Sequence, residues 1–78
     1  MSWNHRITRR RVGPEGLPLY EIREVYYDND GKTISWTEHP IAPSGETWQE
    51  LFDELSKMSR VVTHPILDID TGEDIPLR

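Results

Sequence analysis

The stretch Pro40-Ile41-Ala42-Pro43-Ser44-Gly45-Glu46-Thr47-Trp48-Gln49-Glu50-Leu51 separates a segment with strand chemistry from a segment with helix chemistry. Its two prolines and its glycine end the extended run that precedes them. Thr47 and Glu50 have the spacing of a capping box. In that motif the hydroxyl accepts from the N3 amide, and the N3 carboxylate accepts from the amide of the cap residue. The junction predicts that a helix begins near residue 48, after the strands of a sheet.

Three segments before this junction have the composition and the turn signals of β-strands, at residues 3–12, 19–27 and 33–39. Two prolines and two glycines interrupt the chain between the first and the second, and Asp28-Asn29-Asp30-Gly31 is a hairpin turn before the third. Consecutive strands joined in this way predict a three-stranded antiparallel meander. We interpret the arginines of the first strand as charges that protect a sheet edge from unwanted pairing.

Residues 48–59 predict one amphipathic helix. Its apolar side chains recur with helical spacing at Trp48, Leu51, Phe52, Leu55 and Met58. We expect this stripe to pack on one face of the sheet and to form much of the core. The other sheet face would stay open unless a second subunit or a partner covers it.

The remaining residues predict little regular structure. The segment 66–69 favours a short fourth strand at the edge of the sheet, and 70–78 favours a frayed tail. The sequence therefore predicts one small α+β domain over residues 1–78. Its element order is β-β-β-α with a fourth edge strand.

Composition limits the classes of function. The formal net charge is −5, and the four arginines of residues 1–12 are followed by 66 residues that hold all fourteen acidic side chains. Such a surface disfavours nucleic-acid binding and favours a basic protein partner. The chain has 35% hydrophobic residues and no cysteine, so neither disulfides nor thiolate metal sites support its small core. We expect a homodimer that hides leftover apolar surface.

Targeting signals and cofactor motifs are not evident. No apolar run is long enough to span a membrane, and the first residues lack a hydrophobic signal region, so we expect a cytoplasmic protein. The three histidines have no paired zinc spacing, and the two Asp-rich segments fail the calcium-loop pattern. We expect no cofactor.

Two groups of side chains are candidates for binding a partner protein. The first group is acidic and lies on the helix and near the end of the chain: Glu50, Asp53, Glu54, Asp68 and Asp70. The alternative is that these carboxylates form an ordinary solvated helix face and tail. The second group is aromatic and lies on the predicted strands: Tyr26, Tyr27 and Trp36. The alternative is that these rings pack in the core or pair across the strands. On an uncovered sheet face these rings would act as interface anchors.

One histidine suggests a catalytic alternative. Thr37 and His39 share a strand face and Glu38 lies between them, which is a minimal set for a small hydrolase. Such neighbours are common by chance, and no strained elbow or oxyanion loop accompanies them. A cavity that joins His39 to His5 or His64 would favour this alternative.

The motif Tyr20-Glu21-Ile22-Arg23-Glu24-Val25-Tyr26-Tyr27-Asp28, followed by Ser35-Trp36-Thr37-Glu38-His39-Pro40 and by Gly45-Glu46-Thr47, resembles a group of short uncharacterised bacterial and phage proteins. The resemblance covers roughly residues 19–68 and implies no activity. The Gly45-Glu46-Thr47 helix start and the order of elements also resemble HicB-type antitoxin domains. That resemblance implies a domain that binds and blocks a small RNA-cleaving toxin, often as an oligomer.

The sequence leaves three hypotheses for function. The first is a non-enzymatic protein–protein interaction module, antitoxin-like or regulatory. The second is a phage-type inhibitor whose acidic surface imitates nucleic acid, which requires the acidic candidates to cluster on one surface. The third is the hydrolase that uses His39.

Overall fold

In the computed structural model, which describes residues 1–76, the chain forms a five-stranded mixed β-sheet and one α-helix. The strands are β1 (Ser2–Val12), β2 (Leu17–Tyr27), β3 (Thr33–Trp36), β4 (Ile66–Asp68) and β5 (Glu73–Ile75), and the helix is α1 (Trp48–Met58), which continues into a 3-10 turn, Ser59–Thr63. Their order across the sheet is β3-β2-β1-β4-β5. The α+β class is confirmed.

The first three strands follow one another as antiparallel neighbours. β1 and β2 pair along their whole length, from Ser2 opposite Tyr27 to Val12 opposite Leu17. The predicted turn before β3 is present, since the Asp28 side chain accepts from the amides of Asp30 and Lys32, each at 2.9 Å. Gly31 adopts a φ of +80° there, a conformation that other residues rarely take. Hydrogen bonds within the turn and the positive φ of Gly31 therefore determine how the chain reverses between β2 and β3.

β3 is shorter than the predicted 33–39 and ends at Trp36. Beyond it the chain still runs beside β2, because the Thr37 amide donates to the Glu24 carbonyl and the Ile41 amide donates to the Ile22 carbonyl. Pro40 has no amide hydrogen, so a continuous ladder cannot extend through this segment.

The fourth strand was predicted at the sheet edge over 66–69, and that position is wrong. Ile66–Asp68 lies inside the sheet, parallel to β1, with Leu67 opposite Thr8. The edge is β5, which lies in the segment predicted as a frayed tail. A tight turn makes this return possible: the Gly72 amide donates to the Asp68 carbonyl at 2.7 Å. Residues 77 and 78 of the predicted tail lie outside the described residues.

The interpretation of β1 as a charge-protected edge is also wrong, since β1 is the central strand. Three of its four arginines form ion pairs with acids of neighbouring elements. Arg6 contacts Asp74, Arg9 contacts Asp68 and Arg10 contacts Glu21, with nitrogen–oxygen distances of 2.7, 2.8 and 2.7 Å. These ion pairs link β1 to β2, to β4 and to β5 across the middle of the sheet.

The fully buried apolar core is small. Among the described residues only Val25, Met58, Val61 and Leu67 are buried hydrophobic side chains. Polar groups occupy the rest of the buried space, and Arg6 and Arg23 lie opposite each other in the β1–β2 pairing. Arg6 binds Asp74 and the Pro65 carbonyl, whereas Arg23 binds the Thr8 hydroxyl at 2.6 Å and lies 3.4 Å from the Glu21 carboxylate.

α1 begins where the capping motif predicts. The Glu50 amide donates to the Thr47 hydroxyl at 3.2 Å, whereas the Glu50 carboxylate accepts from the Glu46 amide, one residue before the expected one. Gly45 is required for this start, because a Cβ there would lie 2.6 Å from the Leu51 nitrogen.

The predicted docking of the helix is wrong for most of its apolar stripe. Met58 is buried, but the stripe before it is exposed, and α1 packs chiefly against the 3-10 turn at its own end. The segment that connects β3 to α1 has prolines at 40 and 43 and sets where the helix starts. Amphipathic spacing shows that a face is apolar and does not show what covers it.

Candidate functional site

The most conspicuous surface of the described chain is the exposed apolar side of α1. Trp48 is 72% exposed, Phe52 62% and Leu55 48%, and Leu51 lies beside them and is less exposed. We call these four residues the α1 apolar face. Large apolar side chains on one side of a rigid helix form a contiguous patch, and such patches mark interaction sites on small proteins.

This face continues into an apolar groove. Leu55 lines a cavity of about 300 Å³ that reaches Ile22 of β2. The other residues that line it are Pro43, Met58, Ser59, Val61 and Val62. An apolar side chain from a partner could therefore enter beside Leu55, where it would contact both the helix and the sheet.

The α1 apolar face has an uncharged border on the edge beside Phe52. Helical spacing places Gln49 and Ser56 next to Phe52, whereas Glu50 and Asp53 lie further around the helix. Both acids are exposed, and Glu54 is half-buried. The acidic residues of α1 are therefore displaced from the centre of the apolar patch.

The five acidic candidates do not all present free carboxylates. Asp68 is buried at the end of β4, where it accepts from Arg9 and from the amides of Asp70 and Thr71. Asp70 is exposed and accepts from the Arg11 amide at 2.9 Å. Both residues fasten the β4–β5 turn to β1.

The aromatic candidates are placed separately. The Tyr27 hydroxyl donates to Asn4 at 2.7 Å and also accepts from Arg6. Tyr26 lies on the opposite face of β2, where its hydroxyl donates to Glu24; this bond raises the pKa of the phenol. Trp36 lies opposite Val25 on β3 and is half-buried. Sequence reasoning assigned the open aromatic surface to these three strand residues, but all three are half-buried, whereas Trp48 and Phe52 of the helix are exposed.

A second cavity, of about 370 Å³, lies between the start of β1 and the end of α1. It is lined by Trp3, Asn4, His5, Lys57, Arg60 and His64, and we call it the cationic cavity. It brings together two of the three histidines. His39 is exposed in the segment after β3 and lines neither of these two cavities.

The described part of the chain contains no helix with the length and apolar character needed to cross a membrane. Within residues 1–76 there is also no group of three His, Asp or Glu side chains close enough to hold a metal ion.

Asp68 leads to a prediction about acid stability. The hydrogen bond from Arg9, followed by those from the Asp70 and Thr71 amides, holds the pKa of Asp68 below its usual range. Its contribution to stability is therefore complete above about pH 4, where an unfolded aspartate titrates, and is lost as the pH falls through the lower pKa of the folded state.

We expect the urea midpoint of the wild type to fall more on acidification than the midpoint of Asp68→Asn. The amide keeps an oxygen for the turn but has no proton to bind in this range. Equal acid dependence of the two proteins would contradict the prediction.

Comparison with protein families, with curated proteins and with solved structures finds no match to this chain.

Proposed function

We propose that the chain is a non-enzymatic protein–protein interaction module, antitoxin-like or regulatory in role, which acts as a homodimer joined through the α1 apolar face. The observation that carries the proposal is the exposure of Trp48, Phe52 and Leu55 on a capped helix. Aromatic residues dominate the energetic centres of protein interfaces.

The stability of α1 supports the need for a covering partner. A helix of 11 residues is marginal in water by itself, and most helices are held by the packing of an apolar face. α1 makes few contacts with the strands, and only Met58 of its stripe is buried. The remaining apolar side chains gain the usual stabilisation only when another molecule covers them.

A second copy of the chain is the occupant that these properties favour. A partner that completes the packing of α1 has to be available whenever the chain folds. A second copy of the same chain meets this requirement. The uncharged border at Gln49 and Ser56 also matters, because two copies of a protein with a net charge of −5 repel each other at acidic surfaces. This side of α1 lets two copies approach with little like-charge repulsion.

The order of elements supports the antitoxin-like form of the proposal. Up to β4 the order is three strands, a helix and a further strand, with β5 after them, and the helix begins at Gly45-Glu46-Thr47. This is the order that the resemblance to HicB-type domains implies, and such domains often bind their targets as oligomers.

The test is sedimentation equilibrium of the wild type and of two variants with the same change in charge. Phe52→Glu places a carboxylate in the α1 apolar face, and Ser35→Glu places one at an exposed position of β3, outside that face. We expect the wild type to have twice the 9.2 kDa mass of one chain. Burying an unpaired charge at the interface would make Phe52→Glu monomeric.

The control Ser35→Glu is expected to stay dimeric, because its carboxylate lies outside the α1 apolar face. A wild type that is monomeric at every accessible concentration would overturn the homodimer. A dimer that Phe52→Glu leaves intact would show that another surface joins the copies.

A further inference from the structure

The cationic cavity has a chemical character opposite to that of the chain as a whole. The chain has a net charge of −5, yet none of the six residues that line the cavity is acidic and two of them, Lys57 and Arg60, are cations. Its volume of about 370 Å³ lies within the roughly 300–1,000 Å³ of small-molecule sites. A ligand that enters there meets positive charge in an otherwise acidic protein.

The two cations are available to a ligand. Of the eight lysines and arginines among residues 1–76, four form ion pairs with carboxylates: Arg6, Arg9, Arg10 and Arg23. Lys57 and Arg60 form none within this part of the chain, and both line the same cavity. A guanidinium fork beside an ammonium group is a suitable arrangement for a phosphate.

A hydrogen-bond chain fixes the polar wall of the cavity. Tyr27 donates to Asn4 Oδ1 at 2.7 Å, so the Asn4 amide turns its NH₂ group toward His64 Nε2, at 3.3 Å. We assign Nε2 as the acceptor of this bond, which leaves Nδ1–H as the donor of the ring. His64 Nδ1–H has no side-chain hydrogen bond within the described residues and is a spare donor beside the cations.

The remaining wall is aromatic. Trp3 is 55% exposed as a residue, and His5 supports its ring in an edge-on contact, with ring centroids 5.3 Å apart and planes at 88°. A supported and partly exposed indole is a platform on which the planar ring of a base stacks. Phosphate-binding and ring-binding groups thus share one cavity.

We propose that the cationic cavity binds a free nucleotide, with its phosphate on Lys57 and Arg60 and its base against Trp3. A free nucleotide fits better than a single strand of nucleic acid, because a chain with a net charge of −5 repels a phosphate backbone that continues beyond the cavity. The site is separate from the α1 apolar face, since Lys57 lies roughly 140° around the helix from Phe52.

The test is isothermal titration calorimetry of the full chain with adenosine monophosphate. Inorganic phosphate, adenosine and an oligoadenylate single strand are the comparison ligands. We expect adenosine monophosphate to bind more tightly than phosphate or adenosine alone, because only the nucleotide engages both walls. Trp3→Leu is expected to weaken its binding about fivefold or more, the lower end of the stacking contribution.

The decisive comparison uses two double variants that each remove two cations without carboxylate partners. Lys57→Gln with Arg60→Gln is expected to weaken nucleotide binding at least about tenfold, as expected for losing charge-assisted hydrogen bonds. Arg11→Gln with Lys32→Gln makes the same change in net charge away from the cavity and should leave binding unchanged. All four positions are exposed, and circular dichroism would verify the folding of each variant.

Three results would overturn the proposal. The first is no saturable binding of adenosine monophosphate, and the second is an equal loss in both double variants, which would indicate a diffuse charge effect. The third is tighter binding of the oligoadenylate with a steep salt dependence, which would replace the free nucleotide by a nucleic-acid strand. None of these results depends on whether the chain forms a dimer.

Discussion

Leu67→Ala is expected to lower the free energy of unfolding by about 2–5 kcal/mol, the usual cost of truncating a fully buried leucine. Leu67 has no exposed surface, and β4 places it between β1 and β5. The described core contains only three other buried hydrophobic side chains, so the lost contacts and the cavity are a large fraction of the packing that is available.

Leu17→Ala is the matched control, since Leu17 is 57% exposed at the start of β2. It makes the same chemical change on a strand and should cost well under 1 kcal/mol, as ordinary surface substitutions do. Urea unfolding at one protein concentration measures both, because dimer formation makes apparent stability depend on concentration. Equal costs would show that β4 is not part of the core.

Glu21→Gln is expected to destabilise the protein by roughly 3–5 kcal/mol, because it leaves the charge of a buried arginine without a carboxylate. The side chain of Arg23 is 3% exposed, and its Nη2 lies 3.4 Å from the Glu21 carboxylate. Arg23 Nε already has no partner within the described residues, and the neighbour across the strand pair is Arg6. Glu21 also accepts from Arg10 at 2.7 Å.

The lowered pKa of Glu21 agrees with this role. The hydrogen bond from Arg10, followed by the charges of Arg10 and Arg23, holds the pKa of Glu21 below its usual range. Glu15→Gln is the control: it makes the same change at an exposed turn residue that forms no ion pair within residues 1–76. Its expected effect on stability is within about 0.5 kcal/mol.

A double-mutant cycle tests the mechanism. In an Arg23→Met background the buried charge is absent, so Glu21→Gln should cost much less than it does in the wild type. If the cost of Glu21→Gln is the same in both backgrounds, Glu21 stabilises the sheet through Arg10 or through the strand itself, and compensation of the Arg23 charge is not its role.

The local elements were predictable because their causes lie within a few residues. Thr47 and Glu50 set the start of α1, and Asp28 with Gly31 sets the turn before β3. The pairing of β1 with β2 follows from two long strands joined by a short turn. In each case the hydrogen bonds that decide the structure join residues that are close in the chain.

The candidate sites were less predictable. The acidic and aromatic candidates were chosen by residue type, but Asp68 and Tyr27 are engaged with Arg9, Arg6 and Asn4, which lie far away in the sequence. The cationic cavity joins the start of β1 to the end of α1, and no spacing in the sequence indicates that contact. The one available signal was the amphipathic stripe of α1, which identified the apolar side chains but assigned them to the core.

The sequence by itself determined the α+β class, the turns, the capped start of α1 and the apolar character of one side of that helix. Only the tertiary structure decided that β1 is central, that β4 runs parallel to it, and that α1 leaves most of its stripe exposed. The physical reason is the range of the interactions. Turns and caps are set by neighbours in the chain, whereas the partner of a strand or of an apolar face is chosen among distant segments by burial and charge compensation.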